Sequence, residues 1–211
     1  MKFIDEKIEQ YCIQHSFHIP DYLVELERAT HMRTLAPQML SGAIMGRFLS
    51  FISMLLRPSC IVEIGTFTGY SALCLAEGLS ENGILHTFEV NDELLPTIEE
   101  FQSQSPYQEK INVHIGPAED LLPGLDISPD LAFLDAGKLQ YADHYEILLK
   151  KMNAGGVILI DNVLWSGKVL KSDGDDDTKA LKAFNEKIKN DDRVVQLMLP
   201  IRDGVTMLKI K

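Results

Sequence analysis

The feature that most constrains the fold is an alternation of short apolar runs with segments of helical periodicity, which begins after residue 57. Apolar runs of about four to eight residues between turn residues are typical of parallel strands that are buried on both faces. Parallel strands need crossover connections, and the helical segments between the runs supply them. The pattern therefore predicts βαβ units in a mainly parallel sheet. The predicted strands are residues 60–64, 84–90, 111–115, 131–134 and 157–160.

The C-terminal part departs from this alternation. Residues 194–199 and 205–210 are apolar segments on either side of Arg202-Asp203-Gly204, which predicts an antiparallel hairpin that closes the sheet. With the hairpin included, the predicted fold class is α/β. We expect a Rossmann-like, doubly wound, mostly parallel seven-stranded sheet that ends in this antiparallel hairpin.

The N-terminal part has helical periodicity instead, and we expect extra helices near residues 3–12, 20–30 and 42–56. The 211 residues suit one α/β domain, because a chain of this length supports a single hydrophobic core. We therefore predict one domain, in which residues 1–57 form a helical cap and residues 58–211 form the core.

Charge and cysteine content exclude several classes of protein. The formal net charge of −11 means that attraction to phosphate backbones is not a broad driver of binding. The three cysteines form no Cys-x-x-Cys pair, which argues against a disulfide framework and fits a reducing cytoplasm. Residues 1–7 are too charged for a signal peptide, and the longest apolar stretch, 44–56, is shorter than the about 20 residues that cross a bilayer. We expect a cytoplasmic protein with a small-molecule substrate and no membrane partner.

The turn after the first predicted strand, residues 62–71, carries the strongest functional signal. Gly65 and Gly69 allow a sharp turn and a close ligand, and the next helix offers free amide groups. Phe67 stands where a dinucleotide fingerprint needs glycine, and the turn has no P-loop lysine. Glu63 repels a pyrophosphate but attracts an ammonium or a sulfonium. The turn favours a positively charged adenosine cofactor, and the alternative is a tight βα turn without a ligand.

Two further features favour an adenosine ligand. Glu89 ends the second predicted strand, where an acidic side chain can accept hydrogen bonds from both ribose hydroxyls. The small residues Gly116, Pro117 and Ala118 follow the third strand and leave space beside an adenine. The alternatives are a solvated surface charge for Glu89 and a plain loop for the small residues.

Oxygen-bearing side chains follow two predicted strands that we expect to be neighbours. Asp135 follows the fourth strand, and Asp161 and Asn162 follow the fifth. Carboxylate and amide oxygens are the ligands that Mg²⁺, Mn²⁺ and Ca²⁺ prefer, so these three residues predict a divalent metal site. The alternative is that each aspartate caps the next helix. Lys138 lies close by, and a metal ion beside it disfavours the ammonium form, as a general base requires.

These motifs resemble those of the cation-dependent, class I S-adenosylmethionine (SAM) O-methyltransferases of the caffeoyl-CoA and catechol O-methyltransferase type. The resemblance runs from about residue 35 to the C-terminus, and the combination of motifs is typical of the metal-dependent branch. The matching segments are residues 62–73, 133–138 and 160–165.

The resemblance implies a role for each matching residue. It implies that Met39 and Ser41 cover the cofactor, and that Lys138 is the catalytic base beside Asp135. It also implies SAM and a divalent cation as cofactors, a hydroxylated aromatic substrate and a homodimer. The implied cofactor-binding residues are Met39, Ser41, Glu63, Gly65, Phe67, Ser71, Glu89, Pro117, Ala118 and Asp135, and the implied metal ligands are Asp135, Asp161 and Asn162.

The chain also departs from the pattern of this family. Gly137 stands where many relatives have a second aspartate or, in the catechol enzyme, a tryptophan, and residues 200–204 contain no counterpart of that enzyme's substrate-binding glutamate. Some relatives methylate hydroxylated uridine in transfer RNA, and a basic patch would support that alternative. A SAM-binding protein without catalysis is the other alternative, but it needs neither a base nor a metal site. The candidate patch is Lys138, Lys168, Lys171 and Arg202, and Trp165 lies either at the substrate entrance or at a subunit contact.

Overall fold

A computed structural model describes residues 4–211 of the chain. Phe3, which was included in the first predicted helix, lies outside the described residues. The N-terminal helices are α1 (Glu6–Gln14), α2 (Asp21–Arg33) and α3 (Gly42–Leu56). The later helices are α4 (Tyr70–Ala76), α5 (Leu95–Ser103), α6 (Ala118–Leu121), α7 (Tyr141–Lys151) and α8 (Asp176–Lys189). The strands are β1 (Cys60–Ile64), β2 (Ile84–Glu89), β3 (Ile111–Ile115), β4 (Leu131–Leu134), β5 (Val157–Asp161), β6 (Val194–Leu199) and β7 (Val205–Ile210).

The seven strands form one sheet in the order β3-β2-β1-β4-β5-β7-β6. Strands β1 to β5 pair in parallel, and β7 runs antiparallel to both β5 and β6. The predicted parallel sheet with a C-terminal antiparallel hairpin is therefore confirmed. The strand order reverses between β1 and β4, and ligands bind at the carboxyl ends of the strands at such a switch point.

The sheet separates two apolar clusters. Successive residues of β4 alternate between them, because Phe133 packs with one cluster and Ala132 and Leu134 with the other. Residues of α2, α3 and α4 belong to the first cluster, and residues of α6, α7 and α8 belong to the second. All four residues of β4 are buried, which explains why its sequence is continuously apolar.

Helix α3 is the most apolar helix on the first face. Residues 37–56 are long and apolar enough, by length and composition only, to cross a membrane, with a mean hydropathy of 1.6. Met45 and Leu49 nevertheless have no exposed area and lie in the core. In mid-helix, Arg47 is 3% exposed and forms a 2.6 Å ion pair with Glu77, at the end of α4. Helix α3 therefore buries one face in the core.

A few element ends differ from the prediction. Helix α8 starts at Asp176 and not at Thr178, because the Asp175 side chain accepts a hydrogen bond from the Thr178 amide at 2.9 Å and caps the helix. Strand β5 extends through Asp161, because this residue still pairs with Val205 of β7. Asp161 is therefore the last residue of β5 and not the first residue after it.

Candidate active site

The carboxyl ends of the central strands open into one cavity of about 1680 Å³. Helices α1 and α3 contribute to one side of the cavity, and the turn between β6 and β7 contributes to another. Glu63 does not line it. The predicted site residues that do are Met39, Ser41, Gly65, Phe67, Ser71, Glu89, Pro117, Ala118, Asp135, Lys138, Asp161 and Asn162.

The glycine turn passes directly over the end of β4. Gly65 has a φ of +105°, and a Cβ atom on it would lie 2.0 Å from the carbonyl oxygen of Asp135. The Asp135 amide donates a hydrogen bond of 2.9 Å to the carbonyl of Ile64. Because of this close contact, the residue after β1 has to be glycine, and the turn and Asp135 form one wall of the cavity.

Glu89 is held at the cavity by backbone amides. One carboxylate oxygen accepts a 2.7 Å hydrogen bond from the amide of Phe67, and the other accepts a 2.9 Å bond from the amide of Asn91. The side chain is 9% exposed and faces the cavity from the end of β2. Each oxygen keeps a further lone pair. The geometry therefore leaves Glu89 able to accept hydrogen bonds from a pair of ligand hydroxyls.

Glu63 lies beneath the glycine turn. It has no exposed area, and Thr87 donates a 2.5 Å hydrogen bond to one of its carboxylate oxygens. Burial raises the pKa of Glu63 to about 8, and the nearby carboxylates of Asp135 and Glu89 act in the same direction. Direct contact between Glu63 and a ligand stays a prediction, because this side chain is fully buried and does not line the cavity.

Two carboxylates meet at the adjacent ends of β4 and β5. The pairing of Leu134 with Ile160 puts Asp135 and Asp161 at the next position of neighbouring strands, about 4.8 Å apart. Asp161 is 2% exposed, and burial, followed by the charge of Asp135, raises its pKa. A cation between the two side chains would offset both the burial of the Asp161 carboxylate and its repulsion by Asp135.

The donor set suits a hard divalent ion that also takes oxygens from water and substrate. Within residues 4–211, no group of three or more His, Cys, Asp or Glu side chains is arranged to hold a metal ion. The candidate site therefore depends on two carboxylates and the amide oxygen of Asn162. Asn162 has a φ of 57°, and its backbone N–H donates a 2.7 Å hydrogen bond to the Asp161 carboxylate.

Lys138 is fixed beside this carboxylate pair. It is 7% exposed, and its Nζ donates to Asp135 Oδ1 at 3.2 Å, to the carbonyl of Ala136 at 3.0 Å and to the Tyr141 hydroxyl at 2.5 Å. The Tyr141 hydroxyl in turn donates to the carbonyl of Asp161 at 2.9 Å. Sequence reasoning missed Tyr141, although its spacing from Lys138 is that of neighbours on one helical turn.

The segment after β5 has an unusual backbone. Trp165 and Ser166 have φ values of 48° and 52°, in the left-handed region that favours glycine. The turn between β6 and β7 holds them, because Asp203 accepts hydrogen bonds from the amides of Ser166 at 2.5 Å and Leu164 at 2.9 Å. Strained backbone of this kind clusters at functional sites. Trp165 lines the cavity, which fits the entrance alternative.

Arg202 contacts the opposite side of the cavity. Its guanidinium donates hydrogen bonds to the carbonyls of Leu40, at 3.1 Å, and of Ser41. These contacts weaken the alternative of a basic patch, because Arg202 and Lys138 donate to groups of the protein and Lys168 is paired with Asp175 at 2.9 Å. Lys171 is exposed, and the patch stays a prediction.

Two histidines, His15 and His144, also line the cavity, which the sequence did not reveal. The sequence shows no histidine pair at metal-binding spacing, and none was predicted to act in the site. His144 nevertheless lines the cavity and lies 3.0 Å from the carboxylate of Glu119, another lining residue. The pair lies beside Ala118, on the side predicted for the adenine.

Comparison with known proteins identifies the family. The O-methyltransferase family model matches residues 13–211. The chain belongs to the O-methyltransferase family. A probable caffeoyl-CoA O-methyltransferase of Dictyostelium discoideum is 32% identical, over 97% of this chain and 92% of its own length. The mouse catechol O-methyltransferase domain-containing protein 1 is 31% identical, over 96% of this chain and 79% of its own length.

Solved structures agree with this assignment. A methyltransferase of Podospora anserina, solved with S-adenosylhomocysteine, has a TM-score of 0.90 and 30% identity, and the match covers 98% of this chain and 94% of that one. An O-methyltransferase of Bacillus cereus, also solved with S-adenosylhomocysteine, has a TM-score of 0.90 and 26% identity, with 97% of each chain covered. This O-methyltransferase therefore shares both the fold and the family that its motifs indicate.

Proposed function

We propose that this O-methyltransferase transfers the methyl group of SAM to a hydroxyl oxygen of a small acceptor with two neighbouring oxygens, with the help of a divalent cation. The observation that carries the proposal is the position of Lys138. It lies in hydrogen-bond contact with Asp135, at the edge where two neighbouring strands end in carboxylates. A SAM-binding protein without catalysis needs no such buried amine.

The glycine turn and Glu89 support SAM as the methyl donor. The turn offers close access at Gly65, and Glu89 presents a fixed carboxylate one strand away. The Podospora anserina relative was solved with S-adenosylhomocysteine, the product that SAM leaves after transfer. We place the methionine part at Gly65 and Ser71, the ribose at Glu89 and the adenine beside Pro117 and Ala118.

Asp135, Asp161 and Asn162 would hold the cation. Mg²⁺ is the proposed ion, with Mn²⁺ and Ca²⁺ as alternatives, because all three prefer oxygen ligands. When bound, the ion supplies Lewis-acid stabilisation of negative charge on the acceptor oxygens. The buried carboxylate of Asp161, whose pKa is raised by burial and by Asp135, is the feature that a cation stabilises most directly.

In the proposed reaction, Lys138 first releases to solvent one of the three ammonium protons that it donates in this structure, and the amine so formed takes the proton of the acceptor hydroxyl. The acceptor oxygen then forms a bond to the methyl carbon, and the bond between that carbon and sulfur breaks. Its electron pair stays on sulfur and gives S-adenosylhomocysteine. Tyr141 and Ala136 orient the Lys138 amine through their hydrogen bonds, and this orientation contributes to the rate.

Variants of Lys138 and Asp161 test this proposal. We expect Lys138→Met to lower kcat by a factor of about 10² to 10⁴, because a general base contributes that much, and to leave SAM binding unchanged. Asp161→Asn should abolish the activation by Mg²⁺. Lys150→Met, which removes an exposed lysine of α7, is the matched control and should keep full activity. Full activity of Lys138→Met and Asp161→Asn in the presence of a chelator would overturn the mechanism.

The other functions predicted from the sequence are less well supported. Transfer RNA as the acceptor needs a basic surface, whereas Lys138 and Arg202 donate to groups of the protein and Lys168 is paired with Asp175. A cytoplasmic location and a homodimer stay predictions. Sedimentation equilibrium tests the dimer, because a monomer has a mass of 23.7 kDa.

A further inference from the structure

The charges that line the cavity suggest which acceptors it takes. The structure describes seven carboxylates and three cations on the cavity wall. The carboxylates are Glu9, Glu89, Glu119, Asp135, Asp161, Asp177 and Asp203. Asp135 and Asp161 would be neutralised by the proposed cation, and Glu119 lies against His144. The other four carboxylates come from different elements, so the negative charge is not confined to the predicted metal end.

Each cation on the wall already has a partner within the protein. Arg47 forms two hydrogen bonds with the carboxylate of Glu77, at 2.6 Å and 3.1 Å. Lys138 contacts Asp135, and Arg202 donates to two backbone carbonyls. A phosphate or carboxylate of a bound acceptor needs a cation or several free donors when it leaves water. No lining cation within residues 4–211 is free for that task.

The first turn of α8 adds to the negative charge of the cavity wall. Asp177, in the first turn of α8, lines the cavity and makes no ion pair within the described part of the chain. Its neighbour Asp176 is paired with Lys179 at 3.3 Å and does not line the cavity. The cavity exceeds the about 300–1,000 Å³ that is usual for ligand pockets, so its volume does not exclude a large acceptor. The charge of the cavity, and not its volume, therefore discriminates between acceptors.

We propose that the acceptor is a neutral or cationic hydroxylated compound, and not a coenzyme A thioester or another acceptor with acidic groups. This inference rests on the proposed methyl transfer and names its substrate class. It separates this chain from the activity in the names of its caffeoyl-CoA relatives, because the phosphates of coenzyme A find no free cation at this cavity.

Four acceptors test the inference with purified protein, SAM and Mg²⁺. These are the cationic catechol dopamine, the neutral 4-methylcatechol, the anionic caffeate and caffeoyl-CoA. We expect kcat/KM for dopamine to exceed that for caffeate by about tenfold or more, and caffeoyl-CoA to react most slowly. Equal or faster turnover of caffeate or caffeoyl-CoA overturns the inference and leaves the proposed methyl transfer intact. No turnover of any of the four overturns the proposed function, and the inference with it.

Two aspartates at the start of α8 supply a matched pair of variants. Asp177→Asn should lower the preference for dopamine over caffeate by about threefold, because it removes one charge without an ion-pair partner from the cavity wall. Asp176→Asn should leave the preference unchanged, because this residue does not line the cavity. Higher ionic strength should weaken the preference of the unmodified protein. An unchanged preference in Asp177→Asn contradicts the role of this charge.

Discussion

At the scale of single residues, the site depends on positions that accept only one type of residue. Gly65 is the strictest of these, because its Cβ position lies against the backbone of Asp135. The same contact fixes the distance between the glycine turn and the predicted metal end. Cofactor and acceptor positions are therefore coupled through one backbone contact.

We expect Gly65→Ala to lower stability by about 2 kcal/mol or more and to weaken SAM binding, because the added methyl group forces β1 and β4 apart. Thermal unfolding and titration calorimetry with SAM measure the two effects. Gly124→Ala is the control, since nothing lies within 4 Å of its Cβ position. Wild-type affinity for SAM in Gly65→Ala would show that the turn tolerates this shift.

At the scale of secondary structure, the turn between β6 and β7 joins the two sides of the cavity. Arg202 holds the segment before α3, and Asp203 holds the segment after β5. Gly204 packs against Leu164, and a Cβ atom there would lie 2.4 Å from the Leu164 side chain. The hairpin therefore does more than close the sheet, because its turn positions both the segment near Met39 and the segment near Trp165.

Arg202→Met tests this role of the turn. We expect KM for SAM to rise by about tenfold with a smaller change in kcat, because the segment at Leu40 and Ser41 loses its hydrogen bonds to the guanidinium. Arg202→Lys should restore part of the affinity, since its amine can still reach one carbonyl. Lys209→Met, which removes an exposed cation of the same hairpin, should behave like the unmodified protein. A pure loss of kcat in Arg202→Met argues against this positioning role.

At the scale of the whole molecule, buried acids make stability depend on pH. Burial raises the pKa of Glu63 from 4.5 to about 8, so the folded state favours the neutral form of this side chain. The resulting contribution to stability is complete below the unfolded pKa and is lost as pH rises through the folded pKa. The free energy of unfolding should therefore decrease as the pH rises from 4.5, the unfolded pKa, to about 8, the folded pKa.

Glu63→Gln tests this dependence, because glutamine does not ionise and can still accept the hydrogen bond from Thr87. Urea unfolding of the ligand-free protein from about pH 5 to about pH 9 measures it. We expect the unmodified protein to lose more stability than Glu63→Gln across this range, by a few kcal/mol at most. Parallel pH profiles of the two proteins would show that Glu63 does not titrate there. Asp161 remains in both proteins, so its own titration cancels in the comparison.

The sequence by itself determined the order of elements and the main chemistry of the site. Its apolar runs are buried strands because a parallel sheet is covered on both faces, and a run such as residues 131–134 cannot remain in water. Asp135, Asp161 and Asn162 were predictable as neighbours, because the carboxyl ends of parallel strands meet at one edge. Local patterns carry this information, since they arise from contacts that are close along the chain or repeated in the sheet.

Only the tertiary structure decided which partners the charged side chains take. The sequence offered Arg202 for a basic patch, but it donates to carbonyls 161 and 162 residues away. It offered Lys138 both for that patch and as the catalytic base, and Lys138 is buried beside Asp135. Glu63 was predicted to bind the cofactor, and only the structure shows that it is fully buried and does not line the cavity. These outcomes depend on how distant segments pack, and a hydrogen bond between segments far apart in sequence leaves no periodic pattern. The charge of the cavity, and with it the proposed class of acceptor, follows from that packing.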